Sequence, residues 1–226
     1  MSTSISDSGE AYRIAAESLW QRRAAQGVAA IGLAVAAIPI ALTACLIGAT
    51  LGRPLLFEEV RAGLGKRPFT IRKFRTMHDW RDESGALLPD HIRETQLTRF
   101  IRRSRLDELP QLLLILRGDM AFVGPRPLWP HTIDGFGELG RHRCSVRPGL
   151  TGWAQVNGGT LLTNRQKLAM DIWYVDHRNL ALKIKILLQT FYTIIVGERI
   201  NHSRIETALA HVEAMGGEWG AGVELE

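Results

Sequence analysis

The scarcity of cysteine and the spacing of the histidines exclude several classes of protein. The chain has two cysteines, Cys45 in an apolar run and Cys144 in a polar, arginine-bearing segment, so it has no disulfide framework. Free thiols in a reducing compartment are therefore expected. The seven histidines are scattered, and no Cys or His pairs stand at the separations that structural zinc sites use. Internal repeats are also absent from the sequence. These absences argue against a disulfide-rich domain, a zinc module or a repeat array.

The chain has slightly fewer acidic than basic residues. Lys and Arg number 28 against 23 Asp and Glu, which gives a formal charge of +5. This excess favours an anionic partner, whether nucleic acid, phospholipid head groups or phosphorylated substrates. At 226 residues the chain has room for one domain of ordinary size plus an appendage.

Charged residues are missing altogether from residues 24–52, a run longer than the about 20 residues that a helix needs to cross a bilayer. Pro39 lies near its middle, where proline removes a helix hydrogen bond and clashes with the preceding turn. A single crossing would leave one of two basic flanks outside, against the positive-inside tendency. A re-entrant hairpin that breaks at Pro39 is therefore the favoured prediction, and a kinked span is the alternative. The basic flanking residues are Arg13, Arg22 and Arg23 before the run and Arg53, Arg61, Lys66, Arg67, Arg72, Lys73 and Arg75 after it.

The segment "LTAC" at residues 42–45 offers a third interpretation, because it resembles a bacterial lipoprotein cleavage box that ends in Cys45. The polar leader before the run is long for a signal peptide. The chain also stays apolar after the cysteine as far as Leu51, so export is not favoured.

The rest of the chain is predicted to be mostly helical with one small β-hairpin. Alternation of apolar and basic residues over 57–77, around a Gly-rich turn, indicates the hairpin. Apolar residues on one face predict a helix over 91–106, and a second helix is expected from residues 107–110 to Gly118. Residues 171–196 are predicted to be helical, as an interfacial helix or a buried core helix. From Arg199 onward no packing pattern is visible, so a loosely ordered tail is expected.

Two connectors hold many of the prolines and glycines. The segment "VGPRPLWP" is expected to be a rigid, extended loop, because Pro125, Pro127 and Pro130 fix their own backbone and restrict the residues before them. The segment "RPGLTGWAQVNGG" is turn-rich. The predicted organisation is a polar N-terminal segment (1–23), a membrane anchor (24–52), a catalytic domain (53–198) and a C-terminal tail (199–226).

The stretch "RRSRLDELPQLLLILRGD" at residues 102–119 places arginines directly before two adjacent acids. Pro110 suits the first turn of a helix, so Asp107 and Glu108 are expected at or beside the N-cap, where the helix dipole favours negative charge. Both carboxylates are then expected to be ionised at neutral pH. A cap and a first-turn acid would explain the pair alone, but the surrounding arginines, which bind phosphate in a planar fork, favour a functional site. These arginines are Arg99, Arg102, Arg103, Arg105 and Arg126.

A carboxylate nucleophile among phosphate-binding arginines at a membrane suits phosphoryl transfer. The nucleophile and both phosphate-bearing substrates are anions, and like unit charges 4 Å apart repel by about 4 kcal/mol at an effective dielectric constant of about 20. Arginines and a divalent cation are needed to offset this repulsion. A site with few carboxylates that uses substrate phosphates as ligands indicates Mg²⁺.

Four segments, in order behind a membrane anchor, resemble the monotopic phosphoglycosyl transferases, a family of bacterial sugar transferases. They are "GKRPFTIRKFRTM", "RLDELPQLLLILRGDMAFVGPRPL", "RPGLTGWAQVNG" and "LAMDIWYVDH", and the resemblance runs from the anchor to about Val196. It implies a fold with a re-entrant helix hairpin and a compact, mostly α catalytic domain (α+β with a small β-hairpin) that carries interfacial amphipathic helices. It also implies a location at the cytoplasmic face of the bacterial inner membrane.

The activity that the resemblance implies is transfer of a sugar 1-phosphate from a UDP-sugar to polyprenyl (undecaprenyl) phosphate, which yields polyprenyl-diphosphate-sugar and UMP. The implied mechanism is ping-pong, through a covalent aspartyl phosphosugar. Such a reaction is the first membrane step of exopolysaccharide, capsule, O-antigen or glycoprotein glycan synthesis, so downstream glycosyltransferases are further expected partners.

Carried over residue by residue, the resemblance makes Asp107 the nucleophile and a magnesium ligand. Glu108 is its partner, in metal positioning or in activation of the lipid phosphate. The residues expected to bind phosphate in the same anionic pocket are Arg102, Arg126, Lys73 and Arg75.

Three positions depart from the family pattern. The proline of the anchor follows Ile38 where serine is common, so the serine's hydrogen bond to freed backbone groups is absent. Gly159 stands after "QVNG" where arginine is common, and Arg105 stands where the family usually has serine. Arg105 therefore adds positive charge beside the expected nucleophile.

Two alternatives belong to other functional classes. A catalytically inactive membrane scaffold that recruits glycan enzymes is disfavoured by the retained acid pair and its arginines. A membrane-tethered nucleic-acid binder is indicated by charge alone, and the sequence has no basic recognition helix or stacking motif. No nucleic-acid partner is therefore expected.

Overall fold

The computed structural model describes residues 19–223, and a long apolar helix precedes the remaining helices and two short strand pairs. The expected mostly helical fold with a small hairpin is confirmed. Residues 1–18, which include Arg13 and most of the predicted polar segment, lie outside the described residues. The helices are α1 Leu19–Leu51, α2 Asp90–Arg93, α3 Gln96–Arg103, α4 Leu112–Arg117, α5 Pro130–Gly135, α6 Gly137–Arg143, α7 Trp153–Val156, α8 Asn164–His177, α9 Leu180–Val196 and α10 His202–Ala214, and the strands are β1 Leu56–Ala62, β2 Pro68–Phe74, β3 Ala121–Val123 and β4 Gly149–Thr151.

Helix α1 is long and apolar enough to cross a membrane. Residues on both sides of Pro39 belong to one α-helix, so the predicted break at this proline is not confirmed. A proline removes a single helix hydrogen bond, and both halves of α1 are held against the domain. Gln26 donates to the Leu116 carbonyl over 2.8 Å, and Ile47 packs with Phe74 in one apolar cluster. The re-entrant path is not confirmed and stays a prediction.

The two faces of α1 differ in burial. Ala29, Ala36, Thr43 and Ile47 are buried and form one stripe at near-heptad spacing. The opposite face leaves large apolar side chains exposed to the outside of the protein. These are Val28, Ile31, Val35, Ile38, Leu42 and Leu46.

Strands β1 and β2 form the predicted hairpin, with Leu56 opposite Phe74 and Ala62 opposite Pro68. The helix predicted over 91–106 is instead α2 and α3, because Thr95 forms a capping box that starts a new helix. The second predicted helix begins as a 3-10 segment over Leu106–Gln111, continues as α4 and ends at Gly118. That glycine takes φ +86°, the left-handed conformation that terminates many helices.

The predicted helical stretch 171–196 is also two helices, since Asn179 caps α9 by accepting from the Leu182 amide. In α9 only Ile186 is buried, so the core-helix alternative is not supported. The outer face of α9 carries exposed apolar residues, and its interfacial position stays a prediction. The exposed residues are Leu180, Ile184, Leu188, Phe191, Tyr192 and Ile195.

The expectation of a loosely ordered tail after Arg199 is wrong. Helix α10 packs on α8 and buries Ile205, Ala208 and Val212 in the main apolar core. These residues follow each other at spacings of three and four, the helical period, which the sequence already contained.

Strands β3 and β4 form a short parallel pair that the sequence did not reveal. Each has three residues, too few for a visible alternation of polar and apolar side chains. Residues 124–129 after β3 have no regular secondary structure, and residues 124 and 125 form a bend. The pair therefore brings the two turn-rich connectors side by side.

Candidate active site

The acid pair lies on the wall of a cavity of about 770 Å³. Strand β2, the end of α3, the 3-10 segment, the loop after β3 and the helices α8 and α9 enclose it. Both acids line this cavity together with the cations Lys73, Arg102 and Arg126. Segments far apart in the sequence thus assemble one strongly charged recess.

Both acids are buried, and Asp107 has fewer hydrogen-bond and ion-pair partners than Glu108. Asp107 lies in the first turn of the 3-10 segment, whose N-cap residue Arg105 takes the left-handed conformation at φ +59°. Its Oδ1 atom is buried and has no hydrogen-bond partner within residues 19–223. Burial, reinforced by the neighbouring Glu108 carboxylate, raises the pKa of Asp107 to about 6. At neutral pH the carboxylate is still mostly ionised and poorly solvated.

Glu108 is equally buried but well paired. Arg126 donates from Nη2 to Glu108 Oε1 over 3.1 Å, and Arg105 lies 3.4 Å from Oε2. Burial alone would raise the pKa of Glu108, but the Arg126 and Arg105 guanidiniums outweigh it and hold that pKa below its ordinary value. The two acids therefore differ in protonation behaviour, as adjacent acids with different catalytic roles often do.

Two further predicted cations reach the same cavity. Lys73 projects from β2, and burial together with repulsion by Arg126 lowers its pKa, although Asp107 and Glu108 oppose the shift. Arg102, at the end of α3, lies 3.4 Å from Glu94 and lines the cavity wall. The structure therefore brings Asp107, Glu108, Lys73, Arg102 and Arg126 together.

Arg75 is the exception among the predicted site residues. Its guanidinium donates to the carbonyls of Leu51 and, over 3.0 Å, Gly52, so it satisfies the free end of α1. It is not among the residues that line the cavity. Arg75 is therefore not at its expected position in the pocket. Strand β2 ends at Phe74, so the alternation that points Lys73 into the cavity does not extend to Arg75.

The sequence reasoning missed a buried ion pair behind Arg126. Arg143 donates from Nε to Asp171 over 2.9 Å and from Nη2 to the carbonyl of Arg126. One turn after Asp171, the Tyr174 hydroxyl donates to the Val123 carbonyl over 3.1 Å. Helix α8 thus fixes the loop that carries Arg126. An aspartate and a tyrosine three residues apart in the otherwise apolar "LAMDIWYV" segment were the available signal.

The residues at this site fit a magnesium ion that is shared with substrate. Within the described residues there is no group of three or more His, Cys, Asp or Glu side chains that could hold a metal alone. Mg²⁺, however, is commonly bound by one or two carboxylates together with substrate phosphates. The buried Oδ1 of Asp107, which has no hydrogen-bond partner within the described residues, is an oxygen of the kind that could bind such an ion.

Comparisons with known proteins cover the part of the chain that holds these residues. A family model described as bacterial sugar transferase matches residues 16–197. This range includes Asp107, Glu108 and the cations around them. The chain belongs to the bacterial sugar transferase family.

Several curated relatives are substantially similar to this family member. An uncharacterized sugar transferase of Bacillus subtilis (strain 168), EpsL, is 43% identical over 176 residues, which cover 78% of this chain and 87% of that protein. The UDP-glucose:undecaprenyl-phosphate glucose-1-phosphate transferase of Caulobacter vibrioides is 41% identical over 75% of this chain and 68% of the relative. A UDP-N-acetylgalactosamine-undecaprenyl-phosphate N-acetylgalactosaminephosphotransferase of Aeromonas hydrophila is 37% identical, and the match spans only 42% of its length.

Proposed function

We propose that this sugar transferase moves a sugar 1-phosphate from a UDP-sugar to undecaprenyl phosphate, giving undecaprenyl-diphosphate-sugar and UMP. The activities for which the Caulobacter and Aeromonas relatives are named support the donor and acceptor classes. The observation that carries the proposal is the buried Asp107 carboxylate beside Glu108, in a cavity that Lys73, Arg102 and Arg126 make cationic. This is the charge distribution that a reaction between anions requires.

In the first half-reaction, a carboxylate oxygen of Asp107 attacks the sugar-bearing phosphorus of the donor. A bond forms between that oxygen and phosphorus, the bond from phosphorus to the UMP oxygen breaks, and UMP leaves with the electron pair. The product is an aspartyl phosphosugar. Lys73, Arg102 and Arg126 offset the charge on the diphosphate, and the weak solvation of Asp107 leaves its oxygen available for attack.

In the second half-reaction, a phosphate oxygen of undecaprenyl phosphate attacks the same phosphorus and the Asp107 carboxylate leaves. Glu108 stays ionised through its contacts with Arg126 and Arg105. It keeps the arginines at the reacting phosphate, and the lipid phosphate attacks as its dianion, so no proton has to be transferred in this step.

Magnesium fits this scheme as a cofactor shared between protein and donor. Asp107 would hold it through Oδ1 together with the donor's diphosphate oxygens, and the bound ion would neutralise phosphate charge. Removal of Mg²⁺ by chelation is expected to weaken binding of UDP, which fluorescence or calorimetry can measure without turnover.

The exposed apolar faces of α1 and α9 support a location at the bacterial inner membrane. We place the catalytic domain at its cytoplasmic face, where nucleotide sugars are made and where basic flanks of a membrane segment are retained. The re-entrant path of α1 would keep both basic flanks there.

The proposal is tested with full-length protein in lipid nanodiscs, Mg²⁺, undecaprenyl phosphate and a panel of UDP-hexoses and UDP-N-acetylhexosamines. We expect UMP release with at least one donor. Asp107→Asn is expected to lower that rate by more than about 1000-fold, because the nucleophile is lost. With donor and no acceptor, intact-mass spectrometry should show a phosphosugar adduct on the wild-type protein and none on Asp107→Asn.

The matched control is Asp134→Asn, an exposed aspartate of α5 that pairs with Lys66 on the surface. This change should leave UMP release unchanged, since surface ion pairs contribute little to stability. Wild-type turnover by Asp107→Asn would exclude Asp107 as nucleophile. Absence of UMP with every donor would instead favour an inactive scaffold.

A further inference from the structure

One acid of the cavity wall has no role in the scheme above. Glu198 follows the end of α9 and lines the cavity on the side of the acid pair. Its Oε2 accepts from the Thr160 amide over 2.8 Å and from the Thr160 hydroxyl. These two bonds fix the carboxylate against the loop that follows α7.

The other oxygen of Glu198, Oε1, has spare hydrogen-bonding capacity. Its nearest charged neighbour is Arg105, whose Nη2 lies 3.8 Å from Oε1, beyond hydrogen-bond distance. Within the described part of the chain, Oε1 has no hydrogen-bond donor at bonding distance. A residue of the cavity wall therefore keeps a carboxylate oxygen with free lone pairs.

Gly159 makes this arrangement possible. It takes φ +53°, and a β-carbon at this position would clash with the Glu198 carboxylate. A larger residue at position 159 would therefore force the Glu198 carboxylate to move. Gly159, which departs from the family pattern, thus leaves the space that the Glu198 carboxylate occupies in this chain.

The chemistry of Glu198 limits what it can bind. A carboxylate repels the donor's diphosphate and the lipid phosphate, so its free oxygen suits a neutral group that carries hydroxyls. A UDP-sugar has two such groups, the ribose and the transferred sugar. Arg105 lies between Glu198 and Glu108, at 3.8 Å and 3.4 Å, so Glu198 is on the side of the nucleophile, where the transferred sugar is attached to the reacting phosphate.

We propose that Oε1 of Glu198 accepts a hydrogen bond from a hydroxyl of the transferred sugar and so contributes to donor selectivity. This inference rests on the proposed function, because it needs a nucleotide sugar in the cavity with its reacting phosphate at Asp107. Thr160 is the positioning residue, since its amide and hydroxyl orient the carboxylate.

The test compares a donor that carries the sugar with a ligand that lacks it. In nanodiscs, kcat/KM is measured for the preferred UDP-sugar, and the inhibition constant is measured for UDP on the same preparations. Glu198→Gln is expected to lower kcat/KM by about tenfold, the loss typical of one hydrogen bond to a charged group. The inhibition constant of UDP should change by less than about twofold, because UDP has no transferred sugar.

Two further variants keep the result interpretable. Thr160→Val removes the hydroxyl donor but keeps the amide, and should give a smaller loss in the same direction. Glu94→Gln neutralises another cavity carboxylate, one that pairs with Arg99 and Arg102, and should not reproduce the sugar-specific loss. Equal losses for UDP-sugar and UDP in Glu198→Gln would overturn the proposal, as would no loss at all. Failure of the proposed function is separate, because the wild-type protein would then release no UMP with any donor.

Discussion

Asp107 and Glu108 are neighbours in the sequence, yet their carboxyl groups meet different surroundings. Glu108 is held between two guanidiniums, whereas Asp107 has a buried oxygen without a partner. Burial raises the pKa of Asp107 to about 6, while the arginines hold the pKa of Glu108 below its ordinary value. The pair therefore combines a destabilised anion with a stabilised one.

This difference predicts opposite pH effects on stability. In the unfolded chain Asp107 ionises near 3.8, so the folded state binds its proton more tightly and loses stability as pH rises from about 4 through about 6. At pH 8 the loss is about 3 kcal/mol, from about 1.4 kcal/mol per pKa unit. Asp107→Asn should therefore raise the unfolding midpoint by several degrees at pH 8, and the gain should disappear near pH 4.

Glu108→Gln is the matched comparison. Its folded pKa is depressed, so ionised Glu108 stabilises the protein above its ordinary pKa, and this contribution is lost as pH falls. The substitution should lower the midpoint at pH 8 and have less effect at pH 4. Thermal unfolding in detergent, followed by circular dichroism at both pH values, measures these shifts. A stabilising Glu108→Gln would contradict the assigned surroundings.

At the scale of elements, the position of each cation depends on where a strand or helix ends. Strand β2 ends at Phe74, which leaves Lys73 in the cavity and sends Arg75 to the end of α1. The loop after β3 is held by α8 through Asp171 and Tyr174, and Arg126 is held with it. Rigid supports of this kind reduce the entropy lost when phosphate binds.

Helix α10 is part of this support, because it packs on the same helix α8. We expect Ile205→Ala to destabilise the protein by about 2–4 kcal/mol, since it leaves a cavity in the core. The exposed neighbour Glu206→Ala should change stability by less than about 0.5 kcal/mol. Denaturant unfolding of both variants in detergent measures the difference. Equal stabilities would mean that α10 does not contribute to the core.

At the scale of the whole molecule, α1 and α9 expose apolar faces, while the cavity that α9 helps to enclose is charged. Helix α1 contacts the domain along both halves and points its large apolar side chains outward. Helix α9 also exposes large apolar side chains along nearly all of its length. A water-soluble protein rarely leaves apolar faces of this size exposed to solvent. The geometry suits a chain that lies against a bilayer and receives a soluble donor and a lipid acceptor in one cavity.

The outer face of α9 provides a test of this placement. Leu188→Glu with Phe191→Glu should lower turnover with undecaprenyl phosphate by at least about tenfold, because charge at the edge of the hydrocarbon region is costly. The UMP burst with donor alone should be retained, since it needs no lipid. The control, Met215→Glu, changes an exposed residue after α10. Loss of both half-reactions, or of neither, would argue against an interfacial α9.

Much of the fold could be predicted because its signals are local. The apolar run, the alternation before Phe74 and the glycine that ends α4 each act within a few residues. The same holds for the acid pair and for Arg126 between its two prolines, and the structure brings these three side chains to one cavity. The division of the long helices at Thr95 and Asn179 was missed, because a single capping residue outweighed a continuing apolar pattern.

The sequence by itself determined which chemistry is present: an apolar helix, two adjacent acids, arginines before and after them, and a rigid proline-flanked loop. Only the tertiary structure decided which cations reach the acids, why their pKa values move in opposite directions and which carboxylate fills the space at Gly159. The reason is distance along the chain. Lys73, Asp107, Arg126 and Glu198 meet through packing of separate elements, and burial and Coulomb interactions depend on that packing.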